Sequence, residues 1–166
     1  AHIAADRCYY QLGKKNVLVE AYRGERFGTR ETSITNSVPQ NLTGYWLKKG
    51  SDSEVSNVGY NNAFMTDYPC VLIRLADLYL MKAEAWNEYL AVPDEEHVYA
   101  PLNEVRRRAG IPDVKEAWKT YAKNPGKVAT KEGMREIIHR EWDIEFAFEG
   151  RRFWNLRRWL TAVDEL

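Results

Sequence analysis

The sequence predicts a mainly α-helical protein, a tetratricopeptide-like helical array preceded by an irregular, loop-rich segment with short strands. The chain has 166 residues, about the length of one domain, and 45% of them are apolar, enough for a packed core. From residue 69 onwards, apolar residues recur at helical spacing between short turns. Residues 1–68 instead hold most of the ten glycines and many Ser, Thr and Asn residues. We therefore assign residues 1–68 to the irregular segment and residues 69–166 to a helical scaffold within one domain.

Two stretches of the irregular segment have the composition of strands. Residues 16–22 contain Val17, Leu18 and Val19, and residues 44–48 contain Tyr45 and Trp46. Such β-branched and aromatic residues favour extended chain. Residues 50–68 are predicted to form a long surface loop.

The first helix is predicted from about Tyr68 to Leu90. Pro69 suits its first turn, where a missing backbone N–H is tolerated. One apolar face follows the i, i+3, i+4, i+7 spacing; it contains Leu72, Leu75, Ala76, Tyr79, Ala83, Trp86 and Leu90. Leu78 and Leu80 widen that face beyond half the circumference, so we expect this helix to be packed on two sides.

Four further helices follow from the pattern and its start and stop signals. One spans residues 95–109 and ends at Gly110 and Pro112; Pro101 requires either a start near Ala100 or a kink. A weaker helix covers residues 114–123. The longest covers residues 131–148, with Thr130 as N-cap and Gly150 as its stop, and the last covers residues 152–163.

Composition excludes several classes of protein. Lysine plus arginine number 24, as do aspartate plus glutamate, so the chain lacks the basic excess of a dedicated nucleic-acid binder. Arginines alternate with aromatics over residues 151–159, but an amphipathic helix accounts for that pattern better than single-stranded nucleic acid does. No apolar run reaches the roughly 18 residues of a membrane-spanning helix. His139 and Asp143 lack further ligands at metal-binding spacing, so we expect no metal and no cofactor.

The longest predicted helix carries two acids within its apolar stripe. Glu141 stands where a hydrophobic residue is expected, and Glu145 lies one turn further on the same side. Because an unpaired buried charge is too costly, each carboxylate must be paired, protonated or functional. One hypothesis is a general acid/base pair, as in glycoside hydrolysis, although such pairs normally flank a bond from separate elements.

The other hypothesis is structural and is the one we favour. Bidentate pairing with arginine is the natural way to satisfy a buried glutamate. Arg151 and Arg152 directly follow the long helix, and Arg74 lies near the start of the first one. These three arginines are the candidate partners.

Aromatic residues outside the helical pattern are candidate ligand contacts. Tyr45, Trp46 and Tyr60 lie in loop or strand-edge context. Aromatic faces stack on sugar rings and other flat apolar surfaces, although each of these residues could instead cover the core.

Four ordered motifs resemble the SusD/RagB family of outer-membrane nutrient-binding lipoproteins of the Bacteroidetes. Residues 69–90 include Arg-Leu-Ala-Asp-Leu-Tyr-Leu and Lys-Ala-Glu-Ala, which match the family signature R-x-A-D-x-Y-L-x-x-A-E-A. Residues 103–110 are similar to N-x-V-R-x-R-A-G, residues 138–159 to I-x-x-E-R-x-x-E-L-x-x-E-G-x-R-x-x-D-L-x-R-W, and residues 43–49 to T-G-Y-x-x-x-K. The sequence departs from these motifs at Trp142, Phe146 and Asn155.

The resemblance implies which residues belong to the scaffold and what the whole protein does. The implied ion-pair network consists of Arg74, Asp77, Glu84, Arg106, Glu141, Glu145 and Arg152. The resemblance also implies that this chain is the C-terminal half of a longer protein, lipid-anchored at the cell surface. That protein would capture glycan oligosaccharides for a TonB-dependent SusC-like transporter and would not be an enzyme. The alternative that we retain is a helical-repeat module that docks a transporter without a small-molecule ligand.

Overall fold

The computed structural model describes residues 3–5, 9–12, 15–18, 20, 45–47, 49, 56–57, 63–64 and 71–165. The chain divides into two compact units, Ala1–Cys70 and Val71–Leu166. Helices dominate the described residues, so the mainly α-helical class predicted from the sequence is confirmed.

The described residues of the first unit form six short strands in three antiparallel pairs. The strands are β1 (Ile3–Ala5), β2 (Tyr9–Leu12), β3 (Lys15–Leu18), β4 (Tyr45–Leu47), β5 (Ser56–Asn57) and β6 (Ala63–Phe64). The pairs are β1 with β4, β2 with β3, and β5 with β6. Strands β3 and β4 overlap the two predicted strands. The prediction of a plain loop over residues 50–68 is wrong at β5 and β6, where Ser56 lies opposite Phe64.

The described residues of the second unit form six α-helices, one π-helical turn and one 3₁₀ turn. The α-helices are α1 (Leu75–Tyr89), α2 (Ala100–Arg108), α3 (Val114–Tyr121), α4 (Lys131–Glu145), α5 (Arg151–Trp159) and α6 (Ala162–Glu165). A π-helical turn, Glu95–Tyr99, precedes α2, and a 3₁₀ turn, Pro125–Ala129, precedes α4. Helix α1 packs against both α2 and α4, an arrangement compatible with a tetratricopeptide-like array.

Helix α1 begins seven residues later than the sequence predicts. Residues 71–74 are not helical, and Pro69 lies outside the described residues. The first turn is fixed by Asp77, whose carboxylate accepts a hydrogen bond of 2.7 Å from the backbone N–H of Arg74. A side chain at the third helical position that reaches back to the N-cap satisfies one of the orphan donors of a helix start. This local capping outweighs the apolar periodicity that continues upstream.

The two apolar faces of α1 differ in burial. Ala76, Leu80 and Ala83 are buried against the rest of the helical unit. On the other side, Leu75 and Leu78 are exposed. Helix α1 is therefore packed by two helices, α2 and α4, as expected, although the face that carries Leu75 and Leu78 is exposed.

Proline sets the geometry before α2. The sequence allows a start near Ala100 or a kink, and the structure has the start, because α2 begins at Ala100 directly after the π-helical turn. That turn starts at Asp94, whose carboxylate accepts from the backbone N–H of His97 at 2.8 Å. Pro101 has no backbone N–H to donate. The change from a π-helical turn to an α-helix at this position therefore leaves no backbone donor of residue 101 without a partner.

The last three predicted helix boundaries shift at a part of the chain where three residues adopt left-handed backbone conformations. Helix α4 ends at Glu145, three residues earlier than predicted, and Phe148 has a φ of 67°. Gly150, with a φ of 71°, starts α5. Leu160, with a φ of 61°, ends α5 and separates it from α6, so the single helix predicted over residues 152–163 is wrong.

The core of the helical unit is formed by apolar side chains from α1, α2, α3 and α4. The buried side chains include Leu80, Val98, Leu102, Val114, Met134, Ile137, Ile138 and Trp142. Glu141 and Glu145 are buried beside them on α4. The fold therefore places two carboxylates inside an apolar layer, where their partners decide their role.

Candidate functional site

Glu141 lies in the core and forms an ion pair with Arg106 of α2. The Nη1 atom of Arg106 donates to Oε1 of Glu141. Both side chains are nearly covered, with 9% of Arg106 and 11% of Glu141 exposed. The Nε atom of Arg106 donates to the carbonyl oxygen of Pro112 at 2.8 Å. The guanidinium therefore joins α4 to the end of α2 and to the turn that follows it.

Glu145 is bound by two arginines from different elements. The Nη1 atom of Arg74 donates to its Oε1 atom at 2.7 Å, and Arg108 donates to Oε2. Arg74 also donates to both carboxylate oxygens of Glu149, at 3.1 and 2.8 Å. One turn of α4 thus holds the residue before α1 and the last residue of α2.

The ionisation of this cluster follows from burial and from the neighbouring charges. Burial raises the pKa of Glu141, and the guanidinium of Arg106 opposes that rise. Burial also disfavours the charge on Arg74, but the carboxylates of Glu145 and Glu149 outweigh it and raise the pKa of Arg74. Arg74 is therefore a fixed cation at the end of α4.

A second cluster is centred on Glu84 of α1. The guanidinium of Arg158 donates to both of its carboxylate oxygens, at 2.5 and 2.9 Å. The indole Nε1 of Trp159 donates to the same carboxylate at 3.0 Å. His139 lies with its Nε2 3.9 Å from Oε1 of Glu84 and stacks on Trp159, with ring centroids 3.6 Å apart. This cluster attaches α5 to α1 and α4.

Asp77 is the most buried acid in the helical unit. Besides accepting from the backbone of Arg74, it lies 3.4 Å from the Nη2 atom of Arg151. The same guanidinium donates to the carbonyl oxygen of Leu72 at 2.8 Å. Arg151 therefore fastens the segment before α1 to the start of α5.

Of the three arginines predicted to neutralise Glu141 and Glu145, two contact other acids instead. Arg74 does contact Glu145, whereas Arg151 contacts Asp77. Arg152 lies on the surface, where it pairs with Asp143 and with Glu165. The reason is geometric: Arg152 reaches Asp143, which lies on a more exposed face of α4 than the buried Glu141 and Glu145.

Sequence reasoning missed two members of the cluster. Arg108 contacts Glu145, and Glu149 contacts Arg74. Glu149 follows Glu145 by four residues but lies beyond the end of α4, so helical spacing does not predict its position. Arg108 follows Arg106 by two residues, and helical geometry alone separates such side chains. The long side chain of Arg108 nevertheless contacts Glu145.

The candidate aromatic contacts belong to the first unit. Tyr45 lies on β4 opposite Ala5 of β1, and 60% of its surface is exposed. Trp46 follows it on β4, opposite Ala4. Tyr60 lies outside the described residues. An exposed tyrosine on a short strand is suited to stacking against a flat ligand.

The described residues contain neither a metal-binding cluster nor a membrane-spanning helix. No cluster of three or more His, Cys, Asp or Glu side chains with metal-binding geometry occurs in the part of the chain that the structure describes. Among the same residues, no helix combines the length and apolar character needed to cross a bilayer.

Comparison with known proteins identifies the family. The sequence model of the SusD family matches the chain over residues 1–166. No protein of curated function matches it. The match extends beyond the four motifs to the irregular N-terminal segment. The chain belongs to the SusD family.

Proposed function

We propose that this chain binds glycan oligosaccharides as part of a SusC/SusD-like nutrient uptake system at the bacterial cell surface. The observation that carries the proposal is the family match over residues 1–166, since the family's role is glycan binding in nutrient uptake. In this proposal the whole protein is held at the outer membrane by a lipid anchor. It passes its ligand to a TonB-dependent SusC-like transporter.

The proposed ligand contacts are Tyr45, Trp46 and Tyr60. The exposure of Tyr45 on β4 supports this assignment. Rigid aromatic rings bury a large area at a small cost in conformational entropy, and their polar tips remain available for hydrogen bonds. A sugar ring stacked on such a surface, with a few polar contacts, accounts for binding without a deep cavity.

The arrangement of the acids supports binding rather than hydrolysis. A glycosidase needs two carboxylates on opposite sides of the scissile bond. Glu141 and Glu145 instead lie one turn apart on α4, and each accepts from a guanidinium. We propose that the network of buried acids and arginines is structural bracing.

One observation favours a second candidate function, a module that docks a transporter without any small-molecule ligand. Leu72, Leu75 and Leu78 form an exposed apolar surface at the start of α1. Apolar residues exposed side by side often mark a protein interface. A chain with this function would co-purify with a transporter and bind no glycan.

Isothermal titration of the full chain against a panel of neutral oligosaccharides tests the proposal. Trp46→Ala and Tyr45→Ala should each weaken binding roughly three- to tenfold, the loss of one aromatic contact. Tyr121→Ala is the matched control, because Tyr121 is an exposed aromatic on α3 that is not a proposed contact. Unchanged affinity in both variants would remove β4 from the site. No binding to any oligosaccharide, together with a co-purified transporter, would favour the docking module.

A further inference from the structure

Two grooves on the helical unit meet at one ion pair. The larger groove has a volume of about 670 Å³ and lies between α3, α4, α5 and α6. The smaller, of about 340 Å³, lies at the turn between α4 and α5. Asp143 and Arg152 line both grooves and contact each other. The two volumes therefore adjoin and can hold one elongated ligand; we refer to them together as the Asp143 groove.

Aromatic side chains line the Asp143 groove along its length. Trp118 and Trp159 line the larger part. Phe148 and Phe153 line the smaller part and are 61% and 53% exposed. Aromatic surface that stays exposed beside a groove is suited to stacking on the apolar faces of a ligand.

Charges of both signs line the groove and nearly balance, with Lys127, Arg140, Arg151 and Arg152 against Glu136, Asp143 and Glu165. Lys127 pairs with Glu136 at one end. Arg152 pairs with Asp143 and lies 2.5 Å from Glu165 at the other. A lining whose charges are balanced in this way holds neither a strong anion nor a strong cation, so it favours a neutral polar ligand.

Three polar atoms in the walls of the groove lack a hydrogen-bond partner among the described residues. They are Oδ1 of Asp143, Oγ1 of Thr161 and Nε1 of Trp142. Trp142 is only 3% exposed. A buried polar group without a partner is costly, and a ligand that supplies the partner recovers that cost. The half-exposed side chain of Arg152 can turn aside to admit such a ligand.

We propose that the Asp143 groove is a binding site for a neutral oligosaccharide. A sugar hydroxyl both donates and accepts, so one ligand can accept from the indole of Trp142 and donate to the free carboxylate oxygen of Asp143. The aromatic rings stack on the sugar faces, and the balanced charges match an uncharged chain. The ligand class is the one in the proposed function, but this site is separate from Tyr45, Trp46 and Tyr60 and does not need them.

The six tryptophans of the chain separate this site from the one on β4 in a single experiment. The indole N–H signals in a ¹H–¹⁵N spectrum of the full chain are assigned by single Trp→Phe substitutions and followed during titration with maltohexaose, cellohexaose, mannohexaose and xylohexaose. We expect at least one sugar to shift the signals of Trp118, Trp142 and Trp159. The signal of Trp86, which lies on α1 outside the groove, should stay unchanged.

The outcomes of this titration are distinct. Shifts at Trp46 alone would support ligand contact at β4 and overturn the Asp143 groove. Shifts at Trp142 and Trp118 without Trp46 would support the Asp143 groove and remove β4 from the ligand contacts, while glycan binding itself would stand. Phe153→Ala should weaken binding roughly three- to tenfold, while Tyr121→Ala should not change it. Equal affinity of the Phe153→Ala variant and the unmodified chain would also overturn the inference, as would shifts of the groove signals by a neutral peptide and by none of the sugars.

Discussion

Replacing Glu141 by glutamine tests whether the buried acids brace the fold. The substitution keeps the size of the side chain and an oxygen that can accept from Arg106, but it removes the negative charge. Arg106 is then a cation with 9% of its side chain exposed and no counter-ion at that carboxylate position. Removing one partner of a buried ion pair costs about 3–5 kcal/mol of folding free energy, because the other charge remains uncompensated.

Urea unfolding of the Glu141→Gln chain, followed by circular dichroism, measures that loss. The matched control is Glu136→Gln on the same helix, since Glu136 pairs with Lys127 and is 67% exposed. Removing an exposed pair should change the free energy of unfolding by about 0–1 kcal/mol. Equal losses in the two variants would refute the assignment of Glu141 as buried bracing.

A paired substitution separates the loss of a charge pair from the loss of packing. Arg106→Met combined with Glu141→Leu removes both charges and keeps much of the volume. Replacing a complete buried pair by apolar side chains is often neutral or stabilising, so the double variant should regain most of the stability that Glu141→Gln loses. The hydrogen bond from Arg106 to Pro112 is lost in the double variant, which limits the recovery. If the double variant is no more stable than Glu141→Gln, the loss of stability comes from altered packing and not from the unpaired charge.

Three further substitutions test other parts of the helical unit. Gly133→Ala should destabilise the chain by about 1–3 kcal/mol, although helix propensity alone favours alanine, because a Cβ there would overlap the carbonyl oxygen of Lys127; a more stable variant in urea unfolding would contradict this. Burial lowers the pKa of His139, so the unfolded chain binds the proton more readily, and stability should fall as the pH drops through 6.5; melting temperatures of the His139→Gln chain should show a smaller fall. Glu84→Gln should cost about 1–3 kcal/mol and change tryptophan fluorescence, since Glu84 binds both Arg158 and the indole of Trp159; an unchanged spectrum would argue against this contact.

The helices themselves could be predicted because their signals are local. Apolar spacing, the Thr130 N-cap and the stop at Gly110 depend on neighbouring residues alone. The structure contains a hydrogen bond from the backbone N–H of Gly133 to Oγ1 of Thr130, at 3.1 Å, as the cap requires. The anomalous position of Glu141 within an apolar stripe was also visible, since burial on a helix follows from periodicity.

The partners of the buried acids could not be derived from periodicity. Arg106 and Glu141 are 35 residues apart in sequence, and the packing of both α2 and α4 against α1 brings them together. The positions of the last helix ends were predicted wrongly for a related reason. Phe148 and Leu160 adopt left-handed conformations although each has a Cβ, and the residue type does not predict such a conformation there. Glycine adopts it readily, so the left-handed conformation of Gly150 is of the kind that sequence can predict.

In the helical unit, different buried acids connect different pairs of helices through ion pairs. Glu141 binds α2, Glu145 binds the segment before α1 together with the end of α2, and Glu84 binds α5. Each contact has a fixed direction and a required partner, unlike an apolar contact that tolerates sliding, so together they define one arrangement of the helices. Trp118 and Phe153, on the groove surface, are not members of these ion pairs. Substitutions at Trp118 or Phe153 are therefore expected to leave the arrangement of the helices unchanged and to affect only the proposed ligand contacts.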